Sequence, residues 1–286
     1  MTGPEDITAA AIASFDGCED ERLRELLQVL TRHLHALASE VELTQEEWTE
    51  AMRILVETGR MTSDGRNEFV LWSDTLGLSM LVDALANPKP PGATESTIMG
   101  PFWAPDTPLR EYGDPIFETA SGEPALVHGL VLGLAREPIA GAEIDVWQND
   151  ADQLYAVQRT EGPDDHLRGR FLTREDGSYA FVGVRPVVYP IPADGPAGRM
   201  LSATGRHPWR PAHLHMTVTA PGYERLTTHF FDRDTQYLDS DAVFAVKPSL
   251  LREFVRRSAD DPDRPPTIDG GWWSCENDIV LAPSRK

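Results

Sequence analysis

Trp209-Arg210-Pro211-Ala212-His213-Leu214-His215-Met216-Thr217-Val218-Thr219 is the stretch on which the reading of this chain turns. Its second half is rich in β-branched residues and reads as a strand. Strand side chains alternate between faces, so His213 and His215 point the same way. Two imidazoles on one face of a rigid element make half a metal site, although a His-x-His on a strand also has an ordinary reading as two packed side chains. The rest of the chain has to supply the other half.

Around this stretch the texture is that of a β protein. Val127–Leu132, Ala142–Trp147, Gly169–Thr173, Tyr179–Val182 and Leu226–Phe231 are short runs of β-formers, separated by turn signals at Glu137-Pro138, Asp176-Gly177 and Pro221-Gly222. Such a succession predicts a β-sandwich. Pro186, Pro190, Pro192 and Pro196 make the stretch before the histidines a structured, irregular loop, the kind of segment on which sites are built. The polar tail Asp260–Pro266 is expected to be packed back by Trp272-Trp273.

The first 87 residues read as helices. Leu23, Leu26, Leu27, Leu30, Leu34 and Leu37 form one apolar stripe. Thr44-Gln45-Glu46-Glu47 has the form of a capping box before a second helix. A third segment, about Asn67 to Ala86, is apolar around much of its circumference and calls for burial or an interface. Asn87-Pro88-Lys89-Pro90-Pro91-Gly92 then ends helix. The expected organisation is mainly β with an α-helical N-terminal region: a helical dimerisation domain and linker over 1–99, and a transthyretin-like β-sandwich catalytic domain over 100–286.

Composition narrows the function classes. The 286 residues carry 26 Lys and Arg against 46 Asp and Glu, a formal charge of -20, which argues against nucleic acid and against anionic membrane surfaces. No apolar run is long enough to span a membrane, and the acidic Glu5-Asp6 and Asp16 do not fit a secretory leader. The two cysteines, Cys18 and Cys275, form no disulfide framework, though a single bridge is open to them. The expected location is cytoplasmic.

Cysteine is thus a poor candidate for completing the histidine pair, and carboxylates are plentiful but tied to it by no spacing. Two of the six tyrosines stand in unusual contexts. Tyr189 lies in Val187-Val188-Tyr189-Pro190-Ile191-Pro192, and Tyr155 follows Asp150-Ala151-Asp152-Gln153-Leu154, just past the strand ending at Trp147. Taken alone, either is an ordinary loop or packing residue.

Together and in this order these segments resemble the intradiol ring-cleaving aromatic dioxygenases, the group of catechol and hydroxyquinol 1,2-dioxygenases. The resemblance is carried by Ala142-Glu143-Ile144-Asp145-Val146-Trp147-Gln148 leading to Tyr155, by Tyr189-Pro190 through Asp194-Gly195-Pro196, and by Gly205-Arg206-His207-Pro208-Trp209-Arg210-Pro211-Ala212-His213-Leu214-His215. It covers nearly the whole chain. It implies one Fe(III) per chain, held by Tyr155, Tyr189, His213 and His215, with O₂ as co-substrate and a small aromatic diol as substrate. Phenolates are hard anionic donors suited to the ferric state. Tyr189 is implied to accept a substrate proton, and Arg210 to stabilise charge that develops during the reaction.

The strings Val188–Pro192, Thr227-Thr228-His229-Phe230 and Tyr237–Phe244 look like the hydroxyquinol branch, whose product is 3-hydroxy-cis,cis-muconate (maleylacetate). The pocket wall implied by the resemblance comprises Asp83, Gly100, Pro101, Phe102, Ile191, Pro192, His229 and Val246, with Asp83 receiving the third hydroxyl. Members are homodimers through their N-terminal helices and can hold an amphipathic lipid between them. Competing readings are a catechol or chlorocatechol dioxygenase of the same family, a non-catalytic transthyretin-like binding module, and a zinc or copper hydrolase.

Overall fold

In the computed structural model, which describes residues 3–63, 66–119 and 122–285, the chain divides into two compact units, residues 1–60 and 61–286. The division lies well before residue 99, and the helices from residue 68 onward belong to the same unit as the sheets.

The first unit is helical: α1 (Pro4–Ala13), α2 (Glu21–Glu40) and α3 (Gln45–Met61). Asp20 caps α2 by accepting the N–H of Leu23 at 2.9 Å. The capping box at α3 forms as its sequence demands, Glu47 Oε2 accepting from Thr44 N and Thr44 Oγ1 from Glu47 N. The leucine stripe of α2 is exposed at Leu26, Leu30, Leu34 and Leu37.

The second unit begins with α4 (Glu68–Thr75) and α5 (Leu78–Ala86). These were expected as one helix. Gly77, at φ +75°, turns the chain in the left-handed region that favours glycine and bends the pair apart by 78°. No single helix among the described residues is long and apolar enough to cross a membrane.

The strands β1 (Pro124–Leu132), β2 (Glu143–Gln148), β3 (Arg168–Leu172), β4 (Ser178–Val184), β5 (Tyr189–Pro190), β6 (Trp209–Arg210), β7 (His213–Thr219), β8 (Leu226–Asp232), β9 (Leu251–Arg252), β10 (Phe254–Arg257), β11 (Trp272–Glu276) and β12 (Ile279–Val280) follow, with α6 (Pro196–Ala203) between β5 and β6. One sheet has the order β10-β11-β1-β12 with β4 on β1; the facing sheet has the order β3-β2-β7-β8-β9. The tail is an integral strand: β11 runs parallel to β1 with Trp272 buried. Cys18 and Cys275 are both free.

Register places the site. In the second sheet β7 lies between β2 and β8, so Trp147, His215 and His229 stand abreast. Leu214, Met216 and Val218 belong to the core, and Met216 meets Asn277 near the end of β11. By alternation His213 and His215 therefore face away from the other sheet. A bare sandwich would leave that face wet. The segment after α5 covers it, with Thr97 N donating to Thr227 O at 2.9 Å and Thr228 Oγ1 donating to Glu95 O at 2.7 Å.

Candidate metal centre

His213 and His215 are buried, their rings 4.9 Å apart. His213 Nδ1 lies 2.7 Å from the carbonyl of Pro211, which fixes the N–H there and leaves Nε2 as the acceptor nitrogen. The ring of His215 stacks on Trp147 at 4.8 Å and 16°. Sequence alone assigns Trp147 no role beyond its strand and the motif leading to Tyr155; pairing opposite His215 gives it the task of holding that ring flat.

Tyr155 reaches the histidines from the loop after β2. Gln153, at φ +67°, turns that loop, and Gln158 Oε1 accepts the N–H of Tyr155 at 3.0 Å. The Tyr155 hydroxyl ends 3.1 Å from His215 Nε2, and its ring stacks on Phe102 at 4.5 Å. Tyr189 is set by the short β5–β6 ladder, in which it pairs with Arg210. Its ring is 5.3 Å from that of Tyr155 and 5.5 Å from that of His213. Arg210 Nη1 lies 3.1 Å from the Tyr189 hydroxyl and 3.2 Å from His213 Nε2. Tyr155, Tyr189, Arg210, His213 and His215 thus converge in one buried cluster. His229 joins them: its ring is 4.2 Å from that of His215, and Arg210 Nη2 lies 3.4 Å from its Nδ1. The three imidazoles each offer a nitrogen within 4.8 Å of the others.

The electrostatics favour the uncharged forms of the Tyr155 phenol and of both imidazoles. Burial, reinforced by neighbouring Tyr189, pushes the Tyr155 phenol well above its ordinary range. Burial, then the charge of Arg210, holds His213 and His215 well below the usual imidazole value. Burial works to lower the Arg210 guanidinium too, but Asp241 and the two tyrosines carry it upward, so it stays charged. Buried phenols ionise only beside a strong Lewis acid, and neutral imidazoles are ready donors. Two phenol oxygens and two imidazole nitrogens gathered out of water fit a hard, highly charged metal ion.

A cavity of about 630 Å³ adjoins this cluster, lined by Asp74, Ser79, Ile98, Met99 and the expected Gly100, Pro101 and Phe102. Gly100, at φ +76°, comes so close to His215 that a Cβ there would lie 3.2 Å from Cε1. Ile191 is buried in the core cluster that includes Tyr155 and Tyr189, with the half-buried Pro192 beside it. Two expected wall residues are placed elsewhere. Val246 lines a separate cavity with Arg206, Leu238 and Phe244. Asp83 is committed to its own helix end: Ser96 Oγ and Asn87 Nδ2 both donate to it at 2.9 Å, and Lys247 stands 3.9 Å away. The carboxyl that lines the cavity is Asp74, nine-tenths buried and raised by burial, an effect that Ser79 and Arg210 oppose. Asp74 and Asp83 both sit in an apolar helical stretch, and only the bend at Gly77 tells which of them faces the site.

The chain matches the family model described as Dioxygenase over residues 98–270 and that described as Catechol dioxygenase N terminus over residues 20–94. It is 48% identical to hydroxyquinol 1,2-dioxygenase of Rhizobium sp. (strain MTP-10005), covering 95% of this chain and 92% of that one. Its fold superposes on hydroxyquinol 1,2-dioxygenase from Pseudomonas putida DLL-E4 with a TM-score of 0.93 at 44% identity, covering 98% and 99% of the two chains. Catechol 1,2-dioxygenase from Pseudomonas arvilla C-1 gives 0.86 at 27% identity, covering 98% and 93%. The chain belongs to the intradiol dioxygenase family and is an enzyme of that type.

Proposed function

We propose that this enzyme opens the ring of hydroxyquinol (1,2,4-trihydroxybenzene) between its adjacent hydroxyls, adding both atoms of O₂ to give 3-hydroxy-cis,cis-muconate (maleylacetate). The observation that carries the reading is the convergence of Tyr155, Tyr189, His213 and His215 in one buried cluster with Arg210 against it. We assign these four residues as the ligands of one Fe(III). Ferric iron, when bound there, withdraws electron density from the diolate so that O₂ can attack the ring.

The side chains do the rest. Tyr189 accepts a hydroxyl proton from the arriving diol. Arg210, 3.1 Å from that phenol oxygen, offsets the negative charge that builds on oxygen and ring. Tyr155 and the two imidazoles keep the site in place, with Trp147 and Phe102 bracing them. The covering segment excludes water, which strengthens each of these interactions.

The choice of hydroxyquinol rests on two supports. The relatives named for that substrate stand at 48% and 44% identity, against 37% and 27% for two relatives named for catechol. Asp74 also supplies a buried carboxyl at the cavity wall, suited to the third hydroxyl that catechol lacks. An empty pocket opposite that carboxyl is worth about 1–3 kcal/mol of discrimination.

The exposed leucine stripe of α2 fits pairing of two copies through the N-terminal helices, the surface on which an amphipathic lipid would also be held. The two free cysteines fit a reducing, cytoplasmic setting. The test is kcat/KM for hydroxyquinol, catechol and chlorocatechol with iron-loaded protein, with products analysed after reaction under ¹⁸O₂. Two ¹⁸O atoms in a ring-opened product and preference for hydroxyquinol support the reading. Preference for catechol moves it to the sister activity, and inertness toward all three favours a binding module.

A further inference from the structure

Arg210 is a nine-tenths-buried guanidinium whose orientation decides what Nη1 faces. Its other edge is gripped by a single carboxylate: Nε lies 3.1 Å from Asp241 Oδ1 and Nη2 lies 3.3 Å from Oδ2. A planar fork held at two points has its plane fixed. Nη1 is then left facing the Tyr189 hydroxyl and His213 Nε2.

Asp241 is itself held fast. It is buried, Oδ2 accepts the N–H of Ala245 at 2.9 Å and Oδ1 that of Val243 at 3.4 Å, and its carbonyl accepts the N–H of Phe244. Ala242 N donates to Trp209 O, the neighbour of Arg210, so the turn carrying the carboxylate is tied to the strand carrying the guanidinium. Arg206 adds a strap, donating to Ala242 O and to Thr75 O beside Asp74.

We propose that Asp241 is the positioning residue of this site: by gripping Nε and Nη2 of Arg210 it aims Nη1 at Tyr189. Asp241 touches no substrate in this account and acts only through Arg210. The inference rests on the function proposed above.

The test is a cycle of Asp241→Asn, Arg210→Gln and the double variant, read in two ways. In iron-loaded protein, Asp241→Asn should keep its iron and bind hydroxyquinol anaerobically with a Kd within about threefold of wild type, while kcat falls about 100-fold. In the Arg210→Gln background the same change should alter kcat by less than about twofold, because its only route of action is gone. In iron-free protein, Asp241→Asn should lower Tm, and adding Arg210→Gln should restore part of it by removing the stranded charge. Should Asp241→Asn fail to fold, the double variant compared with Arg210→Gln alone still decides. A kcat near wild type in Asp241→Asn, or a further loss of kcat in the double variant, overturns the proposal. A wild type inert toward hydroxyquinol sinks the functional reading and this inference with it, while the iron-free cycle reports on the ion pair alone.

Discussion

The hydroxyl of Tyr155 lies 3.1 Å from Nε2 of His215, although 60 residues separate them. The two atoms that the sequence nominates as donors to one ion are turned toward each other. Tyr155→Phe should therefore weaken iron binding by more than the roughly 10–100-fold that loss of a supporting group costs. Iron retained per chain after dialysis against a graded chelator series checks this; retention equal to wild type would remove Tyr155 from the ligand set.

Gly100 presses its backbone on His215. A methyl group at this position would stand 3.2 Å from Cε1, on a backbone at φ +76° that non-glycine residues avoid. Gly100→Ala is expected to cost about 1 kcal/mol or more in stability and to disturb iron loading, because His215 is pinned by Trp147 on its flat face and has little room to give. Thermal unfolding and iron content measured together would show both effects; a variant matching wild type in both contradicts the placement.

Asp74 and Asp83 make a paired prediction. Asp74→Ala should shrink the preference for hydroxyquinol over catechol by about 5–150-fold, the equivalent of 1–3 kcal/mol. Asp83→Ala should leave that ratio alone and lower Tm, since it strands Ser96, Asn87 and Lys247. The reverse pattern would return the third hydroxyl to Asp83.

These two aspartates also mark where the sequence stops being legible. The period of β7 fixes which face His213 and His215 share, and their neighbours on β2 and β8 follow once the strands are found. The tyrosines were recognisable because proline-rich and turn-rich contexts set them apart. Asp74, Asp241 and Trp147 gave no such signal. Their roles depend on a bend at Gly77, on a grip between residues 31 positions apart, and on cross-strand register, all of which are tertiary facts. Val246 lines a different cavity from Gly100, Pro101 and Phe102, and spacing alone does not say which cavity a side chain lines.

The imidazoles also set a pH dependence in iron-free protein. His213, His215 and His229 are each held well below the usual 6.5, chiefly by burial, and His166 shifts in the same direction. As pH falls through about 6.5 the unfolded chain takes up protons on them that the folded chain refuses, so stability is lost toward acid, by about 1 kcal/mol per histidine per pH unit. Urea midpoints measured between about pH 7.5 and pH 5.5 should fall steadily. A flat profile would mean that these rings are not held neutral.

The central claim is a ferric centre ligated by tyrosinate that binds hydroxyquinol. The visible absorption spectrum of the iron-loaded protein, recorded before and after anaerobic addition of hydroxyquinol, tests it most directly. The account predicts a broad visible band from tyrosinate-to-iron charge transfer, altered in Tyr189→Phe and displaced when hydroxyquinol binds. A colourless iron-loaded protein, or a band that hydroxyquinol leaves unmoved, would contradict it.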